Sequence, residues 1–169
     1  MRRFTTEELV ASRPDRGQMD ACRLPVTVVL DNIRSGQNVG LIFRTLDCAG
    51  AEQLILAGIT PYPTLNEHCA HQIGKTAVGG SLETIPWKYE PSVISAIENL
   101  KARGYQIVVA EQCDSSVYYT KPTYKFPVAI ILGHEREGVS DAVLKLADLV
   151  IELPVRGITN SLNVAQTTA

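Results

Sequence analysis

A chain of 169 residues, 45% hydrophobic and 20% charged, is long enough to bury one core and has the composition of an ordinary globular domain. No apolar run approaches the roughly 20 residues of a membrane-spanning helix, and the start, MRRFTTEELVASRPDRG, lacks the apolar stretch of a secretory signal. The expected setting is therefore the cytoplasm, with no membrane partner. A net charge of −2 excludes a broadly basic nucleic-acid binder, although seven arginines in the first 44 residues leave room for a local basic face.

Residues 1–22 form a polar N-terminal extension, and a single domain is expected over 23–169. Within the extension, Thr5 or Thr6 followed by Glu7 and Glu8 predicts a short helix that Pro14 ends. Pro25 to Leu30 (PVTVVL) is the first buried strand, and Asn38 to Ala49 has helical spacing through Val39, Ile42, Phe43 and Leu46. Gly50 stops that helix, and Gln53 to Ala57 is the next strand. A helix is expected around Leu65 to Ile73, then a flexible stretch from Gly74 to Gly80, then extended chain from Thr84 to Tyr89. Pro91 to Arg103 reads as a helix closed by Gly104, followed by strands at Gln106 to Ala110 and Val128 to Leu132 with a polar loop between them. Ser140 is expected to cap a helix through Leu146, and Leu149 to Leu153 is the last strand. Thr159-Asn160-Ser161 then opens a final helix, with Ser161 as its N-cap. Alternation of strand and helix from end to end predicts an α/β domain, its mostly parallel sheet covered by helices on both faces.

Three polar clusters sit where strands end: Asn32 to Arg44, Gly133 to Gly138, and the stretch after Leu153. Open α/β sheets bind ligands at such places. Neither a G-x-G-x-x-G turn nor a Walker A motif is present, which disfavours dinucleotide and nucleoside triphosphate folds. Cys22, Cys48, Cys69 and Cys113 are scattered and expected to be reduced thiols. His68, Cys69 and His71 lack the second cluster that a metal site needs, so no metal is expected.

Together the three clusters resemble the SpoU (TrmH-like) family of RNA ribose 2′-O-methyltransferases in the SPOUT superfamily. LDNIRSGQNVGLIFRTLDCAGAE (Leu30 to Glu52) is similar to that family's motif 1, ILGHEREGVS (Ile131 to Ser140) to motif 2, and the Ser-Leu-Asn stretch within Ile151 to Ala165 to motif 3. The resemblance implies a C-terminal deep trefoil knot, S-adenosylmethionine bound in that knot, a homodimer, and tRNA or rRNA as substrate. Carried over, it implies a cofactor pocket at Ala110, Glu111, Gly133, Leu153, Ser161 and Leu162, with the two leucines as apolar walls. It implies a reacting centre at Asn38, Arg44, Glu135, Ser161 and Asn163, with Asn38 and Arg44 one helical side apart. Arg44 suits a phosphate contact or polarisation of the 2′-hydroxyl better than proton removal, because a guanidinium resists deprotonation. Arg136 and Arg156 are further candidates for phosphate contacts.

The chain departs from the family pattern at His134, where a smaller or amide side chain is more usual. It also runs only six residues past Asn163, so a short C-terminal helix is expected. Two other functions compete: a non-catalytic scaffold that binds S-adenosylmethionine or RNA, and a knotted enzyme that methylates a base nitrogen.

Overall fold

A computed structural model describes residues 1–169, the side chain of Arg16 excepted. Two short helices come first, α1 (Thr6–Ala11) and α2 (Arg16–Ala21), followed by β1 (Leu24–Asp31), α3 (Gly36–Ala49) and β2 (Ala51–Ala57). Next are α4 (Glu67–Gly74), α5 (Ser81–Thr84), β3 (Trp87–Glu90), α6 (Val93–Ala102) and β4 (Gln106–Ala110). The chain then forms β5 (Val117–Tyr118), β6 (Val128–Leu132), α7 (Asp141–Leu144), β7 (Leu149–Glu152) and α8 (Val164–Thr168).

The strands form one seven-stranded sheet in the order β3-β2-β1-β6-β4-β7-β5, and every pairing is parallel. Alternation along β1 sends Val28 and Leu30 to one face, with Phe43, Leu46 and Ile73 of α3 and α4. Val29 goes to the other face, with Ile97 and Leu100 of α6 and Val143 of α7. Helices therefore cover both faces, which is why the central strands read as continuous apolar runs.

The bounds of β4 and β6 coincide with their apolar runs. Thr5 caps α1 in a reciprocal pair with Glu8, and Gly50 closes α3 in the left-handed conformation at φ 67°. Other expectations need correction. Asp15 caps α2, which the sequence pattern did not signal, and α5 falls just past the stretch expected to be flexible. Ser140 stands at the N-cap of α7 without a side-chain cap, and that helix ends at Leu144 rather than Leu146. Ser161 opens no helix: the last cap is Asn163, whose Oδ1 accepts from the Ala165 N–H at 2.8 Å, and Ser161 stays in the loop before it.

Candidate functional site

Because the sheet is parallel, β1, β4, β6 and β7 all deliver their C-terminal loops to the same end. The loop after β1 is fixed by side chains. Thr60 Oγ1 accepts from the Ile33 N–H at 3.0 Å and donates to the Leu30 carbonyl at 3.1 Å. Asn32 holds a positive φ of 59°, its Oδ1 accepting from the Ile59 N–H at 3.1 Å and its Nδ2 donating to Asp31 at 2.8 Å. Asn is among the few residues with a side chain that tolerate this conformation. Asp31 is buried, and loss of solvent pushes its carboxyl above the usual range.

The loop after β6 is pinned as firmly. His134 and Gly138 exchange backbone hydrogen bonds at 3.1 and 2.9 Å, and Glu111 Oε2 accepts from the Val139 N–H at 2.8 Å. Gly133 must be glycine here, since a Cβ would lie 2.5 Å from Val139 and 2.6 Å from the Gly138 backbone. His134 Nδ1 accepts from the Arg136 and Glu137 N–H groups at 3.2 and 3.1 Å. Its Nδ1 is therefore unprotonated, and the neutral ring carries its hydrogen on Nε2.

Three segments meet beside a cleft of about 360 Å³, which Glu135 lines and Asn38 and Asn163 do not. Asn38 Nδ2 donates to Glu135 Oε1 at 3.1 Å, and Asn163 Nδ2 donates to Asn38 Oδ1 at 3.1 Å. The Arg34 N–H donates to Glu135 Oε2 at 3.2 Å. Partial burial works to raise the Glu135 carboxyl, but donation from backbone N–H groups and from Asn38 outweighs it, and the net direction is down. Glu135 is thus held ionised, with both oxygens engaged.

Ala110, Glu111, Gly133, Leu153, Ser161 and Leu162 all line the cleft, together with His134, Glu135 and Gln112. Glu111 lines it while its carboxylate is spent on the Gln112 and Val139 N–H groups, so it holds the neighbouring loop in place. Gln112 was not anticipated; its Nε2 donates to the Asn160 carbonyl at 3.0 Å and ties β4 to the loop after β7. The walls mix Leu132, Ile151, Leu153 and Leu162 with exposed backbone. Its volume falls in the range of roughly 300–1,000 Å³ usual for small-molecule sites. Such a cleft suits a flat, partly apolar ligand with polar ends.

Arg44 is not brought into this cluster. Six residues at 3.6 per turn turn it about 120° round α3 from Asn38, and the side chain stands exposed with no hydrogen bond or ion pair among the described residues. Arg156 is also exposed and lies off the cleft, whereas Arg136 lines it. Arg34, not singled out by the sequence pattern, joins Arg136 on a second, adjoining cleft.

Comparison with known proteins gives a consistent result. The SpoU rRNA Methylase family matches residues 25–169. A tRNA (guanosine(18)-2′-O)-methyltransferase of Thermus thermophilus is 30% identical over 141 residues, covering 83% of this chain and 68% of that protein. The tRNA (guanosine(18)-2′-O)-methyltransferase of Escherichia coli K12 is 29% identical over 153 residues, covering 90% and 63%. A relative from Staphylococcus haemolyticus is 30% identical over 148 residues, yet the chain spans only 57% of its length. Among solved structures, an AdoMet-bound rRNA methyltransferase from Sinorhizobium meliloti superposes with a TM-score of 0.73 and 31% identity, covering 85% of this chain and 52% of that one.

Proposed function

Because the chain belongs to the SpoU rRNA Methylase family, we propose that it transfers a methyl group from S-adenosylmethionine to a ribose 2′-hydroxyl of tRNA or rRNA. The observation that carries this reading is the hydrogen-bonded chain Asn163–Asn38–Glu135 beside the lined cleft. The donor set fits the cofactor. Leu153 and Leu162 offer apolar walls to an adenine, and Ala110 and Gly133 line the same cleft. When bound, the cofactor supplies an electrophilic methyl on a sulfonium, a good leaving group as a neutral thioether.

The protein's task is then to align a hydroxyl and help its proton leave. Glu135 and Asn163 fix the Asn38 amide from both sides, so that this amide can orient a ribose beside the cleft. Glu135, held ionised and doubly hydrogen-bonded, is a positioning group and a weak base. Ser161, exposed on the cleft wall without a hydrogen bond among the described residues, is free to bond ribose or cofactor.

The deep trefoil knot belongs to the same proposal. It is supported by β6 lying between β1 and β4, and by Val164 and Ala165 of α8 joining the core beside α3. So does the homodimer. Leu41, 40% exposed, and Arg44 leave one face of α3 open, and a second copy on that face would bring Arg44 toward a shared site.

The test is transfer of labelled methyl to RNA from cells lacking this gene, followed by digestion to nucleosides. A labelled 2′-O-methylnucleoside is expected. A base-methylated product, or cofactor binding without transfer, would overturn the reading in favour of a base methyltransferase or a non-catalytic binder.

A further inference from the structure

The second cleft adjoins the first and shares His134, Glu135 and Arg136 with it. Arg34 and Ser35 complete its lining. Its two arginines come from loops far apart in the chain yet fixed against each other by the Arg34 N–H donating to Glu135 Oε2, 101 residues on, at 3.2 Å. Each backbone is held locally as well: Thr60 takes the N–H next to Arg34, and His134 Nδ1 takes the N–H of Arg136. The side chains are not held. Among the described residues neither guanidinium makes an ion pair, although the ionised Glu135 lines the same cleft. The Glu135 oxygens instead accept from the Arg34 backbone and the Asn38 amide. Two arginines against one carboxylate give the cleft a formal charge of +1, His134 aside, and both exposed guanidinium forks lack a protein partner among the described residues.

We propose that this cleft seats one phosphodiester of the RNA chain, beside the ribose presented to Asn38, with Arg34 and Arg136 gripping it together. The proposal rests on the reading of the chain as an RNA 2′-O-methyltransferase. Arginine suits the role because its planar donor fork matches phosphate oxygens two at a time. A phosphate contact carries no base information but sets register. The grip would therefore fix which ribose along the strand reaches the methyl group. It also assigns phosphate binding within one subunit to residues other than Arg44, which lines neither cleft.

The test is a titration of labelled, unmodified tRNA and of a short single-stranded RNA with the full chain saturated in S-adenosylhomocysteine, repeated over a range of salt. The proteins are wild type, Arg34→Ala/Arg136→Ala, Arg34→Lys/Arg136→Lys, and Lys145→Ala as an exposed charge-loss control just after α7. The double alanine variant should weaken RNA binding at least tenfold and make the log–log salt slope shallower by about 1, the signature of one lost phosphate contact. S-adenosylhomocysteine affinity should stay within twofold. The lysine variant should keep the slope and lose only part of the affinity.

An unchanged slope, or one equal to the Lys145→Ala slope, overturns the proposal. So does a change from dimer to monomer in sedimentation of the double alanine variant, which would mean that the arginines pair with a second copy. Wild type that binds RNA without methylating it, while the slope responds as expected, removes the methyl-transfer reading and leaves the phosphate site. Wild type that methylates ribose, with no response in the double variant, removes only the phosphate site.

Discussion

Asn163 has two duties that one substitution can separate. Its Oδ1 caps α8 and its Nδ2 reaches Asn38. Asn163→Ala should cost about 1 kcal/mol of stability through the lost cap and reduce methyl transfer as well. Asn163→Asp keeps the cap acceptor but has no N–H to give Asn38, so thermal unfolding should stay near wild type while kcat falls at least tenfold. Equal loss of stability in both variants would show that the bond to Asn38, and not the cap, carries the stability. At Asp31 the measurable quantity is a pH profile. Burial raises its carboxyl above the unfolded value, so in the window between those two values the folded state keeps a proton that the unfolded chain has released. The resulting stability is complete below the unfolded value of about 3.9 and declines as pH rises through the window. Asp31→Asn, which retains an oxygen acceptor for the Asn32 amide, should therefore be more stable than wild type near neutral pH. Denaturant melts should show that advantage closing at about pH 4 and below. Ser161 and Asn163 explain why the C-terminal cap was misread. Both are good N-cap residues two positions apart, and local preference cannot rank them. What selects Asn163 is its tertiary bond to Asn38, 125 residues away in the chain.

Helix α3 links the core to the site. Val39, Ile42, Phe43 and Leu46 bury one side of it, Phe43 meeting Trp87 edge-on with ring centroids 6.4 Å apart. Asn38 projects at its first turn toward Glu135. Gly40 is where α4 comes closest. A Cβ there would land on the Ile73 carbonyl and the Thr76 hydroxyl, and 3.0 Å from the Ala77 nitrogen. Intrinsic preference favours alanine over glycine in a helix by about 1 kcal/mol, but the overpacking penalty of about 1–3 kcal/mol should win because two of the three neighbours are backbone. Gly40→Ala is expected to be destabilised in urea unfolding; a gain in stability would mean that α4 yields freely. The helix was legible from Asn38 to Ala49, where its apolar spacing is regular and Gly50 ends it, but its start at Gly36 with Ser35 as cap was not. Nor was the direction of Arg44, because a motif gives spacing along the chain and only the axis of the folded helix turns spacing into a face. Strands β4 and β6 were read to the residue because burial on both sides leaves unbroken runs of Val, Ile, Leu and Ala. Helices α2 and α5, of 6 and 4 residues, are too short for periodicity to register.

At the scale of the molecule, the cleft is built by rigid strand ends on one side and by the loop from Leu153 to Leu162 on the other. That loop has no regular structure, and its Ile158 is fully exposed. Its contacts are few: Gln112 holds the Asn160 carbonyl. Ligand binding should order it. Hydrogen exchange on residues 153–163 is expected to slow on adding S-adenosylhomocysteine, with little change in β1 or β6. Ligand at a hundredfold excess over its dissociation constant contributes about 2.7 kcal/mol, which for a domain of this size should raise the melting temperature by about 5–10 °C. Slowing confined to other segments would place the ligand elsewhere. The cluster of motifs could be located in the sequence at strand ends because parallel topology gathers those ends. Which of their side chains touch could not, since Asn38, Glu135 and Asn163 meet only after the whole sheet has formed.

The sheet contains no hairpin. The strand hydrogen-bonded to β1 on one side, β6, joins it through Val26 and Val128, so a loop of about a hundred residues must close before that pairing exists. Closure on this scale is entropically expensive and earns no contacts until late, and parallel sheets of high contact order fold slowly, over milliseconds to seconds. After dilution from denaturant, α3 with the β1–β2 pair should gain structure first, and competence to bind S-adenosylhomocysteine should return only with the slow pairing of β6. Between those two moments the apolar edge of β1 stands open, and that interval is when the chain is most exposed to association with other unfinished chains.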